Sequence, residues 1–542
     1  MRSFIKTLKR YFHTLRYLKL IQFKYRFLRQ FPKKINFRTI KNLPVSSFSD
    51  PIWIKSKKET FDGEYFYLLN QKIKFSKDVW SKTFEDVLWS YNCNYLDFIN
   101  EQTKFDKTKY IFAWIENTSI EQGISFDPYP TSLRVVNLIK WCISNKNYDK
   151  KILDSIYFQT IVLNKNIEWH LLANHIISNL KALIFAGYFF DNEQSKKWLI
   201  YGKKNLLKQL DEQILKDGAH YELSPMYHNI IISDLLDLVQ INKLSKTKND
   251  KGFEVALNRK INSMLNWSSN MTHPDNEIAF FNDSTFSVCP RFDELKDYQN
   301  LVSKEHFQEE TENISYMSDS GYISLRTDMG KMIIDVGNIG IDYNPGHAHA
   351  DSLSFELSIN SRRFLVNSGT STYSRTELRN FQRSTRAHNT IEVNDTNSSD
   401  VWDIFRVGAR AKNINTKLIT KDNKIIITSS HNGYKNFIGG NIHQRTWEIE
   451  KNKLLIKDKL IGEDASCASR LYLHPSVEVD SINENQIKLV HADGTPILIN
   501  IPDSKFILKD SYYYCGFGLA LSNKCIEIEV KNNSCRLSVI KL

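Results

Sequence analysis

Residues 344–359 read Asn-Pro-Gly-His-Ala-His-Ala-Asp-Ser-Leu-Ser-Phe-Glu-Leu-Ser-Ile, and apolar side chains alternate with polar ones at Leu353, Phe355, Leu357 and Ile359. That period predicts a β-strand over 352–359, in which every second residue shares a face. Carried back toward the Asn344-Pro345-Gly346 turn signal, the same period puts His347, His349 and Asp351 on one side. Three titratable groups on one face are costly unless the face is wet, paired or metal-bound. Surface polar residues of a half-exposed strand are the plain alternative.

Upstream of this stretch the period changes. Apolar spacings of three and four predict helices over 83–101, 130–144, 152–163, 170–190, 193–217, 229–241 and 250–267. Downstream of about Tyr316, short β-branched runs between turn signals predict many strands, among them 322–326, 331–336, 424–430, 444–450 and 453–460. A chain of 542 residues exceeds what one core usually supports. The reading is therefore an all-α layer over 46–300 and an antiparallel β-sandwich over 315–542, preceded by an arm over 1–45.

Charge separates the arm from the rest. The net charge is +12, but 13 of the 73 basic residues lie in positions 1–41, which hold no acid, so 60 basic face 61 acidic residues elsewhere. A neutral body gives no reason to expect nucleic acid as a partner. The arm places Phe4, Leu8, Phe12, Leu15, Phe23 and Phe27 among its cations at roughly helical spacing. Such a helix either packs on the body or rests on an anionic membrane face. Neither a signal peptide nor a membrane span is indicated. The seven scattered cysteines fit a reducing compartment, so a cytoplasmic protein is expected, possible contact with the inner membrane face running through residues 1–41.

Three segments among the helices are too polar for plain linkers: Asp127–Asn137, Glu168–Ala182 and Asp217–His228. The Asn174-His175 pair falls on a helix, although a buried Asn beside a His also serves to satisfy helix ends. Pro225 should break the helix locally and put Tyr227 and His228 in a loop or the first turn of the next helix.

Four motifs in order, N-H-x-x-x-N-x-x-A-L at 174–183, D-G-x-H-x-E-x-S-P-x-Y-H at 217–228, G-H-x-H-x-D at 346–351 and R-S-T-x-A-H-N-T at 383–390, resemble the heparinase II/III-like polysaccharide lyases. The resemblance implies an α/α toroid followed by an antiparallel β-sandwich, and β-elimination on an acidic, uronate-containing polysaccharide. Removing the C5 proton builds a second negative charge beside a carboxylate, so donors must neutralise it, while a base takes that proton and an acid protonates the departing O4. By resemblance, Asn174 and His175 neutralise the carboxylate, Tyr227 and His347 are the acid/base groups, and Tyr373 lies near the cleaved bond. Which of Tyr227, His175 and His347 takes the proton stays open. Tyr129, Arg134, Glu222, His228 and Arg383 are the expected substrate-binding residues.

Some relatives hold a metal, and the matching positions here are His349, Asn367 and His388. Asn367 stands where a carboxylate is expected, and a neutral amide lacks the charge that helps hold zinc. Either a divalent ion, zinc or calcium, sits there, or His349 and His388 support the loop by hydrogen bonds. Two other functions compete: a glycoside hydrolase using Glu222 and Asp351, and a non-catalytic glycan-binding or surface-polysaccharide assembly protein.

Overall fold

The long helices begin where short polar side chains cap them. Asp149 accepts from Lys151 N at the head of Lys150–Lys165, and Asp250 accepts from Phe253 N at the head of Lys251–Asn270. Ser224 caps Pro225–Leu244, whose proline at the first helical position loses no hydrogen bond there. The computed structural model describes residues 2–542 apart from 32–34, 36–40, 55–58, 85, 304–306, 311 and 437–439. The tail of the expected N-terminal arm, most of 32–41, therefore lies outside the described residues.

Helix Ala173–Phe189 is the spine of the helical part. It is buried along almost its whole length and packs on Pro128–Asn145, Glu193–Gln213 and Pro225–Leu244. Gly187 and Gly202 let it approach Glu193–Gln213 closely, since a Cβ on either would come within 2.7 Å of Leu199 or 2.6 Å of Ile184. A helix so enclosed holds its N-terminal residues, Asn174 and His175, in fixed positions. Helices Lys107–Asn117 and Phe292–Ser303, and a hairpin of Tyr65–Leu68 with Gln71–Lys74, were not expected from the sequence.

The strands form a sandwich. One sheet has eight antiparallel strands in the order Asn413–Lys421, Lys424–His431, Ile442–Glu450, Lys453–Ile461, Ser534–Lys541, Pro496–Asn500, Gln486–His491 and Val477–Ile482. A five-stranded sheet from Ile314 to Leu365 and a four-stranded one from Ile391–Val393, Cys467–Tyr472, Phe506–Gly516 and Leu519–Glu529 are joined by the Leu365–Leu473 bridge. Side chains of all three meet in one core that includes Phe355, Leu357, Trp447, Ile456, Ile526 and Val539. Along Ile442–Glu450 inward and outward residues alternate, as a strand with one buried face requires.

The deciding stretch differs from its reading in one respect. The strand starts at Phe355, not Ser352, because Leu353 takes a left-handed backbone (φ 62°) that ends the extended run. Residues 344–351 are thus a loop, and His347, His349 and Asp351 are not bound to one strand face. The strand itself is buried throughout, being interior to its sheet.

Two helices of the arm, Arg2–Leu15 and Leu20–Leu28, lie across both halves of the molecule. Arg10 pairs with Asp400 (2.6 Å) and Thr14 with Val407 O on the sandwich side, whereas Lys19 pairs with Glu212 (2.5 Å) on the helical side. All seven cysteines are free thiols, five of them buried. Among the described residues no helix is long and apolar enough to cross a membrane.

Candidate active site

A cleft of about 2080 Å³ separates the helical part from the sandwich, and Tyr129, Asn174, His175, Glu222, Tyr227, His347 and Tyr373 all line it. Asn174 and His175 come from one helix, Tyr129 and Tyr227 from two others, and the rest from loops.

Asn174 and His175 open the spine helix. The two residues before them, Leu172 (φ 66°) and Ala173 (φ 53°), take left-handed backbone, which costs a non-glycine residue on the order of 1–3 kcal/mol and persists only where the surroundings enforce it. The result aims the helix N-terminus, the positive end of its dipole, at the cleft. Asn174 donates from Nδ2 to both oxygens of Glu222, at 3.1 and 3.0 Å, while its buried Oδ1 has no partner. His175 Nδ1 contacts Glu168 Oε2 at 3.1 Å, and its ring packs 4.5 Å from Tyr129. Burial opposes charging His175, but the charge and hydrogen bond of Glu168, with Glu222 beyond, outweigh it and raise its pKa. Asn179 holds Glu168 from both sides, donating from Nδ2 to Oε2 and accepting the Glu168 N–H.

Tyr227 sits in the first turn of Pro225–Leu244. Its ring stacks on His347 with centroids 4.0 Å apart, and its hydroxyl lies 3.1 Å from that of Tyr373. Burial, with Tyr373 adding to it, pushes the Tyr227 phenol far above its ordinary pKa, so it is protonated in the free site. His347 Nδ1 lies 2.9 Å from Asp283 Oδ2; a carboxylate accepts, so Nδ1 carries the proton and Nε2 faces Glu222 at 3.8 Å. Burial pushes the Glu222 carboxyl up, against the opposing pull of His347, Asn174 and His175.

Asp283 is the hub that sequence reasoning missed. Completely buried, it accepts from His347, from His349 Nε2 (2.8 Å) and from both terminal nitrogens of Arg379. Burial favours its neutral acid, but Arg379 and the two imidazoles outweigh that and hold its pKa well below the ordinary value. The neighbouring Asn282, left-handed at φ 56°, donates to Leu223 O of the helical part and accepts His349 N. Phe281-Asn-Asp-Ser marked only the end of the helical pattern in the sequence; nothing in its spacing points to residues 64 positions away.

Behind His347 a second cluster is closed to the cleft. His349, Asp351 and His388 are buried, and each offers a donor atom within 4.8 Å of the others. His349 gives its Nε2 proton to Asp283, and His388 gives its Nδ1 proton to Ser384 O (2.7 Å). Their remaining nitrogens then face each other at 3.1 Å, lone pair against lone pair, unless a proton or a cation lies between. Burial lowers both pKa values, that of His388 to about 4, which disfavours the proton.

Four expected residues are elsewhere or otherwise engaged. Asn367 has both amide atoms engaged: Oδ1 accepts Asn389 N and Nδ2 donates to Phe280 O, and the carboxylate grouped with His349 and His388 is that of Asp351. Arg134 is sealed inside the helical part, bonded to Gln159, Asn94 O and Ser125 O over the Trp114 ring. His228 spends both nitrogens internally, on His220 N and Met264 O, and burial drives its pKa to about 3. Arg383 binds Ala348 O and Asp403 O, so it braces the His347 loop rather than touching the cleft. Asp351 is likewise away from the cleft, so the expected Glu222 and Asp351 pair of a hydrolase is not assembled.

Known proteins match this architecture. The family model described as Heparinase II/III N-terminus fits residues 33–309, and the one described as Heparinase II/III-like, C-terminal, fits residues 309–538. The chain belongs to the heparinase II/III-like family. Among characterised members it is similar to a heparin-sulfate lyase of Bacteroides stercoris, 23% identical over 336 residues (58% of this chain, 47% of that protein), and to one of Pedobacter heparinus, 25% identical over 353 residues (60% and 50%). The chain spans about half the length of these relatives. A crystal structure of heparinase III is similar in fold, with TM-score 0.63 and 19% identity over 80% of this chain and 74% of that one. The heparan sulfate lyase HepC of Pedobacter heparinus, in a mutant form, gives TM-score 0.60 and 18% identity over 91% and 86%. The heparinase III-like toroid plus β-sandwich is thus the fold of this heparinase II/III-like chain.

Proposed function

We propose that the chain is a polysaccharide lyase that cleaves a uronate-containing glycan by β-elimination. The observation that carries this reading is the grouping of Tyr227, Tyr373 and His347 opposite Asn174 and His175 in one cleft. Asn174 and a charged His175 meet the uronate carboxylate at a helix N-terminus, where developing negative charge is stabilised. Burial biases Glu222 toward its neutral acid, a form that adds a donor beside Asn174 instead of repelling the substrate. In the neutral tautomer that the Asp283 contact selects, His347 has a free Nε2 lone pair, which takes the C5 hydrogen. The C4–O4 bond breaks as the C4–C5 double bond forms, and the protonated Tyr227 phenol delivers its proton to O4.

The names of the relatives bring heparin sulfate among the candidate substrates. The charges of the cleft favour a lightly sulfated polymer. Among the described residues, the lining cations Lys140, Lys146, Arg291 and Arg375 pair with Asp237, Asp50, Asp293 and Asp403, and Lys107 donates to the Glu101 carbonyl. Few cations are left over for sulfates. Incubation with matched sulfated and desulfated uronate glycans tests both points. Near-ultraviolet absorbance of an unsaturated uronate is expected, faster from the desulfated polymer; reducing ends without absorbance would rule out elimination.

The buried cluster suits a divalent metal held by His349 Nδ1, His388 Nε2 and Asp351. Zinc–nitrogen bonds of about 2.0–2.1 Å at a tetrahedral angle separate two nitrogens by roughly 3.3 Å, close to the spacing here, and two imidazoles favour zinc over calcium. A bound ion would supply positive charge between the facing nitrogens and so fix the loop that carries His347. Elemental analysis is expected to find about one equivalent, and a chelator to lower the melting temperature; full stability without metal would leave the histidines a hydrogen-bonding role.

A further inference from the structure

The arm turns its polar side inward and its apolar side out. In helix Arg2–Leu15, Arg10 and Thr14 face the sandwich, bonded to Asp400 and Val407 O, and Tyr11 packs edge-on against Trp402 at 5.1 Å. In helix Leu20–Leu28, Gln22 donates to Tyr343 O and Tyr25 lies against Trp169. The opposite faces carry Leu8, Phe12 and Leu15, then Leu20, Phe23 and Phe27, at helical spacing and between 43% and 86% exposed. Six large apolar side chains in two stripes, one on each helix, are more than scattered surface residues explain. Exposed cations accompany them at Lys9, Arg16, Lys24 and Arg26.

We propose that this face is a docking surface for an anionic lipid bilayer, with the apolar stripes in the headgroup boundary and the cations at the lipid charges. Charge decides the occupant. Residues 1–41 hold 13 Lys and Arg and no acid, whereas the rest of the chain is neutral, so the face is complementary to an anionic sheet. A second copy docking through the same stripes would set two such arms against each other and be repelled. The docked side of the arm ties this surface to the enzyme body: Lys19 pairs with Glu212 in the helical part and Gln22 reaches the loop that carries His347. The lipid surface would therefore hold the cleft of the intact enzyme at a fixed orientation, independently of which glycan the cleft accepts.

The test is co-sedimentation of the full chain with vesicles of phosphatidylcholine alone or with about one third phosphatidylglycerol. Binding to the anionic vesicles, weakened by salt, is expected, with little binding to neutral ones. Reversing Lys9→Glu and Lys24→Glu should lower the bound fraction by at least about ten-fold. Phe12→Ser with Phe27→Ser should lower it in both salt conditions. Both variants alter exposed side chains only, and each should keep the wild-type rate on a soluble oligosaccharide, which also certifies its fold. Absence of binding to anionic vesicles, or equal binding by the variants, overturns the proposal. So does a solution dimer that the Phe12→Ser, Phe27→Ser variant dissolves, because the stripes then belong to a second copy.

Discussion

His347 and His349 stand two residues apart on one loop and contact opposite oxygens of one carboxylate, Asp283, yet His347 faces the cleft and His349 is sealed away from it. The difference lies in what occupies the far side of each ring. Tyr227 and Glu222 meet His347 where a substrate can enter, whereas His388 and Asp351 meet His349 where none can. One shared carboxylate thus fixes the proposed proton-transfer group and its support together, and residue type alone does not tell them apart.

Variants on the cleft side should cost activity without stability. Tyr227→Phe keeps the ring stacked on His347 and removes its proton; kcat should fall by roughly 10²- to 10⁴-fold while thermal unfolding stays unchanged. Wild-type elimination by this variant would break the comparison, leaving Tyr373 or His175 to deliver the proton. Asn174→Ala should raise the barrier by about 3–4 kcal/mol, as loss of an oxyanion donor does, and single-turnover rates measure it.

A variant on the sealed side should do the reverse. His349→Ala leaves Asp283 and His388 each short of a partner, at about 1–3 kcal/mol apiece, and urea unfolding should show the loss. Its activity should drop only as far as the His347 loop loosens. The smallest effect is a shift in pH dependence. The pKa of His175 is raised in the folded protein, so its charged form persists above the ordinary histidine value and activity should fall as pH rises through that pKa. Glu168→Gln removes the main charge that raises it, and the alkaline limb of kcat/KM should move to lower pH. An unmoved limb would take His175 out of carboxylate binding.

Much of this was legible in the sequence because period and motif act locally. The helical spacing from 83 to 267 and the alternation along strands such as 442–450 reflect burial of one face, which a short window records. The cleft residues were found by motif. Arg134, His228 and Arg383 show the limit, since a polar residue in a motif segment can point at the cleft or into the core, and only packing decides. Asp283 and Glu168 were not marked because their roles depend on partners that tertiary folding brings near. The left-handed Leu172, Ala173 and Leu353 run against local propensity, so no local pattern announces them.

The clasp between Arg10 and Asp400 joins residues 390 positions apart. During synthesis at roughly 5–20 residues per second, the arm leaves the ribosome some 20–80 s before the segment it will rest on. For that interval the helical part can already meet Lys19 through Glu212, but the sandwich side of the clasp does not yet exist. Whatever first meets the arm, chaperone or lipid, does so before the cleft exists, and the order of events in making the protein is written into one long-range ion pair.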